Sequence, residues 1–170
     1  LGNDEGAPRK DNSTRDDNAY TVLRIERRAN RALVDGFTIS GGHANGAPSD
    51  FRRFSDGGGI YIEGDEEYDL GWYGQFRNLP ITKKYAQDGA AIVFYNTVDL
   101  DYGGIFIDLT HLNIYDNVGE HSIIGNQSLM EGSGSDGNTA LSMYILNSVI
   151  TRNTILSEGA ESGVVRARAS

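Results

Sequence analysis

Cysteine is absent from this 170-residue chain, proline occurs 3 times and tryptophan once. Without cysteine there is neither a disulfide framework nor a thiolate metal site. No apolar stretch approaches the ~20 residues of a membrane-spanning helix, and no signal-peptide pattern is visible. Basic charge is scarce too, with 15 Lys and Arg against 24 Asp and Glu for a net charge of −9. That balance argues against nucleic acid, whose phosphates demand a basic surface, and against anionic membrane surfaces. The expectation is a chain with no nucleic-acid partner and no transmembrane segment.

What the chain does have is glycine, 22 residues of it, with a modest hydrophobic content of 38%. Many turns and few long helices follow from that composition. Residues 1–19 read as a polar leader and residues 20–165 as the folded part of a single domain spanning 1–170. The opening at Leu1, inside loop-like sequence, suggests an excised piece of something longer.

Four times a short motif closes on an aliphatic residue: Val34 to Ile39, Phe76 to Ile81, Leu109 to Ile114 and Ile145 to Ile150. Each is answered by a glycine-flanked or small-residue apolar run: Gly57 to Ile60, Gly89 to Ile92, a degenerate Ser122 to Ile124, and Ser162 to Val165. The closing residues Ile39, Ile81, Ile114 and Ile150 are 42, 33 and 36 residues apart. Unequal intervals fit a constant unit with variable loops, and recurrence on this scale is the signature of a solenoid.

The motif contains a break in parity. Counted from the closing aliphatic, position −2 is Phe37, Leu79, Leu112 or Ser148, and position −5 is Val34, Phe76, Leu109 or Ile145. One strand of period two cannot turn both inward. A sharp bend must separate them, and position −3 holds Gly36, Asn78, His111 or Asn147, types that tolerate the left-handed region. With the alternation upstream and the run downstream, the pattern predicts three short strands per coil and about four coils of an all-β parallel β-helix. The alternative is an antiparallel sandwich of short strands.

At these residues the chain resembles a known class. Ile114-Tyr-Asp-Asn117 and Ile150-Thr-Arg-Asn153 are similar to the FxxN tetrapeptide of polymorphic outer-membrane protein repeats, and Gly57 to Ile60 and Gly89 to Ile92 to its glycine-rich partner. Asn18 to Val22 followed by Asp35 to Gly46 resembles the start of large bacterial right-handed parallel β-helix surface proteins, including the choice-of-anchor type. Ile81-Thr-Lys-Lys84 lacks the final Asn, and Gly119 to Ile123 lacks the glycines. The resemblance implies a right-handed helix, bacterial export and a place at the cell surface or outside the cell. It implies an adhesin or structural component, or a relative of polysaccharide lyases and hydrolases with the pectate-lyase-like fold.

Site candidates are few. On the strand after the glycine run, Tyr61, Glu63 and Tyr95 fall on the outward parity and would form an exposed sugar-stacking platform; ordinary cross-strand packing is the alternative. Glu63, Asp65, Glu66, Glu67 and Asp69 offer hard oxygen ligands, with Asp65, Glu67 and Asp69 the candidate Ca²⁺ ligands, although no EF-hand spacing is present and a solvated loop has the same composition. Asp16 and Asp17 are a weaker version of the same idea. Asp99 and Asp101 could share a face as an acid–base pair for glycoside cleavage, but Tyr102-Gly103-Gly104 points to a turn. Arg77, Lys83, Lys84 and Arg152 are the basic groups near the coil face, and none joins an acidic cluster. His43, His111 and His121 are scattered, and no HExxH, GxSxG or phosphate-loop pattern occurs. No residue is assigned a catalytic role and no cofactor is required. Coils without a visible cap would leave both ends open, so neighbouring subunits, the remainder of a longer chain or glycans are the expected partners.

Overall fold

The computed structural model describes residues 8–9, 18–26, 31–46, 55–63, 72–96, 105–128, 141–157 and 162–168. Among them there is no helix. The strands are β1 (Leu23–Ile25), β2 (Ala32–Asp35), β3 (Ile39–Ser40), β4 (His43–Ala44), β5 (Ile60–Glu63), β6 (Trp72–Arg77), β7 (Pro80–Thr82), β8 (Tyr85–Ala86) and β9 (Ile92–Asn96). They continue as β10 (Ile105–Thr110), β11 (Asn113–Tyr115), β12 (Val118–Gly119), β13 (Ser122–Ser128), β14 (Leu141–Leu146), β15 (Val149–Thr151), β16 (Thr154–Ile155) and β17 (Gly163–Arg168).

Each strand pairs with the strand four places further on, and every ladder is parallel. The result is sheet A (β1-β5-β9-β13-β17), sheet B (β14-β10-β6-β2), sheet C (β15-β11-β7-β3) and sheet D (β16-β12-β8-β4). Parallel pairing throughout removes the antiparallel sandwich. The repeating unit carries four strands rather than the expected three. The fourth is only two residues long, too short for alternation to reveal it.

Register stacks like on like. Ile39, Ile81, Ile114 and Ile150 form one column of sheet C, and Val34, Phe76, Leu109 and Ile145 one column of sheet B. In sheet A, Leu23, Ile60, Ile92, Ile124 and Val165 line up. These columns supply the apolar core. Because adjacent parallel strands lie ~4.8 Å apart, each aliphatic side chain is covered by its counterparts in the neighbouring repeats.

The bends between sheets B and C sit at Gly36, Asn78, His111 and Asn147, with φ of 76°, 53°, 54° and 50°. Leu79 and Leu112 beyond them are buried as the parity break requires, but Phe37 is 64% exposed. It belongs to the first repeat, and among the described residues its column has no member before it. A second left-handed column, not read from sequence, joins sheets C and D at Gly41, Lys83, Asp116 and Arg152, with φ of 87°, 56°, 55° and 51°. Lysine and arginine give no hint of positive φ, so residue type alone could not mark it.

At the turn into sheet A the backbone closes tightly. A Cβ on Gly59 would lie 2.3 Å from the Ala91 carbonyl oxygen, and one on Gly89 2.6 Å from the Val93 Cβ. In the third repeat the corresponding segment is one residue shorter. Gly119 pairs with Ala86 and Ile124 with Ile92, leaving four residues between them where the preceding repeat has five. The Ser122 hydroxyl fills the corner, accepting from the Gly89 amide at 2.9 Å and donating to Asp88 at 3.1 Å. This accounts for the degenerate third run.

Candidate functional site

Tyr61, Glu63 and Tyr95 do come together on the outer face of sheet A, but not as a platform. Tyr61 is 3% exposed. Its ring stacks on Tyr95 with centroids 6.1 Å apart, and the Arg24 guanidinium lies 5.7 Å from its centroid. Glu63 is held by Arg24 at 3.0 Å. Burial, followed by the Glu63 carboxylate, pushes the Tyr61 hydroxyl well above its ordinary range. The expectation of an exposed Tyr61 is therefore corrected: strand parity set its direction, but Val93 beside it is fully buried as well. The Gly57 and Gly89 corners fold over this face, where a Cβ on Gly57 would meet Val93 at 2.6 Å and Tyr61 at 3.1 Å.

The candidate Ca²⁺ ligands Asp65, Glu67 and Asp69 lie outside the described residues, as do Glu66, Asp16, Asp17 and the Asp99–Asp101 pair. Among the described residues no three His, Asp or Glu side chains are arranged to hold a metal ion, and no helix is long and apolar enough to cross a membrane. Of the basic candidates, Lys84 is wholly buried rather than on a face. Arg152 is exposed and grips Asp116 through two hydrogen bonds of 2.9 and 3.0 Å. That pairing holds the Asp116 carboxyl below its usual range. His121 shares a 2.9 Å hydrogen bond with Ser157, and His43 is buried edge-on to Tyr85 at 5.5 Å.

Exposed aromatic surface lies instead on sheet B. Tyr73, Gln75 and Arg77 of β6 pair with Phe106, Asp108 and Thr110 of β10, and these with Ser142, Tyr144 and Leu146 of β14. All have the outward parity, opposite to buried Phe76, Ile107 and Leu109. Phe106 and Tyr144 are exposed. Beside them Tyr73 donates to Asp108 at 2.6 Å and accepts from Gln75 at 2.7 Å. The bond to Asp108 raises the Tyr73 pKa. The alternation in Trp72 to Phe76 and Ile105 to Leu109 carries the signal of this face.

Inside the turn between sheets C and D runs a column of Gly42, Lys84, Asn117 and Asn153. The Asn117 Oδ1 accepts from the Lys84 amide at 3.1 Å, and its Nδ2 donates to the Ile81 carbonyl at 3.0 Å and to Asn153 at 2.9 Å. Asn153 repeats the pattern, accepting from the Asn117 amide and donating to the Ile114 carbonyl. Each asparagine thus satisfies backbone groups that the turn turns away from the ladders.

The two ends differ. Strands β14, β15, β16 and β17 each occupy a sheet edge. Met143, Ile145, Ile150 and Ile155 are only half-buried there, while their register partners Ile107, Leu109 and Ile114 have no exposure. Val149 and Leu156 are 57% and 55% exposed. At the opposite edge Leu23, Ala32 and Val34 are half-buried in the same way, while Ile25, Ile39, His43 and Ala44 are buried. There the His43 amide donates to the Ala19 carbonyl at 2.9 Å, and its Nε2 lies 2.8 Å from the Arg9 carbonyl oxygen, beside buried Pro8. The expectation of two uncapped ends is corrected at β4, where Pro8, Arg9 and Ala19 lie against the strand in place of a preceding one.

No protein-family model matches the chain, and neither a search of curated proteins nor one of solved structures finds a match.

Proposed function

We propose that the four-strand repeats wind as coils of a right-handed parallel β-helix, and that the chain is a structural or adhesin-type segment of an exported bacterial surface protein. Its primary action in this reading is assembly by stacking coil on coil. The half-open core along β14–β17 carries the proposal. A strand edge with unpaired amides and carbonyls is a template for further pairing, and here four such edges surround uncovered aliphatic side chains. Sedimentation velocity across a concentration series tests it: the account expects self-association that Ile150→Lys abolishes without lowering the circular-dichroism strand signal. A chain monomeric at every concentration would overturn the stacking role.

A second reading is favoured by the outer face of sheet B. Phe106 and Tyr144 offer apolar ring faces, and the Asp108–Tyr73–Gln75 group offers fixed hydrogen-bonding partners, the combination that neutral sugar rings require. Net negative charge disfavours polyanionic glycans. Binding of a neutral polysaccharide, lost in the Phe106→Ala/Tyr144→Ala double variant, supports glycan attachment. Release of reducing or unsaturated ends from the same panel would point instead to a lyase or hydrolase.

A further inference from the structure

The middle of the outer face of sheet B carries a carboxylate among aromatic rings. Its two central strands each have a neighbour on both sides, β6 between β2 and β10 and β10 between β6 and β14. The arrangement therefore does not depend on what adjoins either edge of the sheet. Asp108 stands two residues along β10 from exposed Phe106, and its register partners are Gln75 on β6 and exposed Tyr144 on β14. Tyr73, the register partner of Phe106, donates its hydroxyl to Asp108 Oδ2 at 2.6 Å, and Gln75 donates to the same oxygen at 3.5 Å. Both bonds go to one oxygen, so Oδ1 is left to accept from outside. Among the described residues no basic side chain pairs with Asp108. Arg77, the next outward residue of β6 after Gln75, is turned to Asp35 at 3.5 Å. The carboxylate is held in place and half-buried, and these neighbours do not neutralise it.

We propose that this face takes a glycan whose sugars carry free amino groups, with a sugar ring on the aromatic side chains and its ammonium on Asp108 Oδ1. The inference rests on the glycan reading above and narrows it to amine-bearing sugars. Residues two apart on a strand are ~6.6 Å apart, so a pyranose seated on Phe106 brings one edge substituent over Asp108. A hydroxyl donates there as well, but it leaves the carboxylate charge unpaired. An ammonium both donates and neutralises it, which makes the stronger bond. Phe106, Tyr73 and Tyr144 add to the preference, because the face of an aromatic ring attracts a cation. The net charge of −9 works in the same direction, drawing cationic chains to the surface and repelling uronate and sulfated ones.

Calorimetric titration with glucosamine oligomers and their N-acetylated counterparts of equal length tests the assignment, at a mildly acidic pH that keeps the amines protonated. The free amine should tighten binding by about fivefold, the scale of one partly exposed ion pair. Asp108→Asn keeps an oxygen for the Tyr73 hydroxyl and should abolish that preference while the acetylated oligomer binds as before. Asp108→Ser is a second variant with the same expected result, and circular dichroism checks that both retain the strand signal. Asp116→Asn removes an equal charge from the exposed pair with Arg152 and should leave the preference intact. A preference that survives both Asp108 variants, or falls equally in Asp116→Asn, would trace it to overall charge and overturn the assignment. Equal binding of the two oligomers would overturn it as well, and the glycan reading would stand in each of these cases. Binding of neither oligomer also overturns it, and removes the glycan reading too if the neutral polysaccharides fail to bind.

Discussion

The middle of the molecule and its last edge are made from the same columns, and they differ only in what lies beyond them. Leu109 and Ile145 are register partners on adjacent strands, as are Ile114 and Ile150. The first of each pair is fully buried and the second is not. Sequence patterning assigns both to the core, so pattern fixes which way a side chain points. Depth comes from the neighbouring repeat. Stability in such an array is a sum of terms within repeats and between nearest neighbours, and among the described residues no strand pairs beyond the last edge.

Substitutions in matched pairs can break or sharpen this contrast. The largest difference is expected at glycine. Gly59→Ala drives a Cβ to within 2.3 Å of a backbone oxygen that cannot move aside, whereas at Gly163 the nearest atom is at 3.4 Å. Urea unfolding should show a loss of about 3 kcal/mol or more at Gly59, the scale of severe overpacking, and little change at Gly163. Truncation of the core comes next. Leu109→Ala should cost about 3 kcal/mol, as for a buried leucine that leaves a cavity, and Ile145→Ala about 1 kcal/mol because water already reaches it. Equal losses would contradict an open edge.

The asparagine column gives a smaller contrast of the same sign. Asn117→Ala strands the Lys84 amide and the Ile81 carbonyl in a buried turn, an effect of about 2 kcal/mol. Asn153→Ala, half-buried, should cost about half that in the same assay. The smallest effect belongs to the Arg152–Asp116 pair, where both side chains are largely exposed and screened by solvent. Its sign is fixed: the folded Asp116 pKa is depressed, so any stabilisation is present above the unfolded carboxyl value of about 3.9. It is lost as pH falls through the folded one. Asp116→Asn should shift the melting temperature slightly at pH 7 and not at all once the carboxyl is protonated.

Much of the architecture was legible in the chain. The parity break at position −3 located Gly36, Asn78, His111 and Asn147 because one left-handed residue is needed where two strands must both face inward. The column through Gly41, Lys83, Asp116 and Arg152 was hidden, since Lys and Arg carry no left-handed preference to extend that of Gly and Asp and the strand it introduces is two residues long. Tyr61 was misread for a different reason. Alternation gives a direction relative to the sheet, but the Gly57 corner just upstream in the same repeat folds over that face and packs against Tyr61. Phe37 was misread in the opposite sense, because among the described residues its column has no member before it. The sheet B face is visible in the same alternation, through Tyr73, Gln75, Phe106 and Asp108. Cover at the β4 edge by residues near 8 and 19 was not legible, as those polar positions carry no periodic signal.

The central proposal is that the half-buried core along the sheet-edge strands β14–β17 is completed by further strands. Amide hydrogen exchange followed at low and high protein concentration tests it most directly. The account predicts slow exchange in β6, β9 and β10 at any concentration, and fast exchange in β14–β17 that becomes slow as concentration rises. Equal protection of both regions, unchanged by concentration, would contradict it.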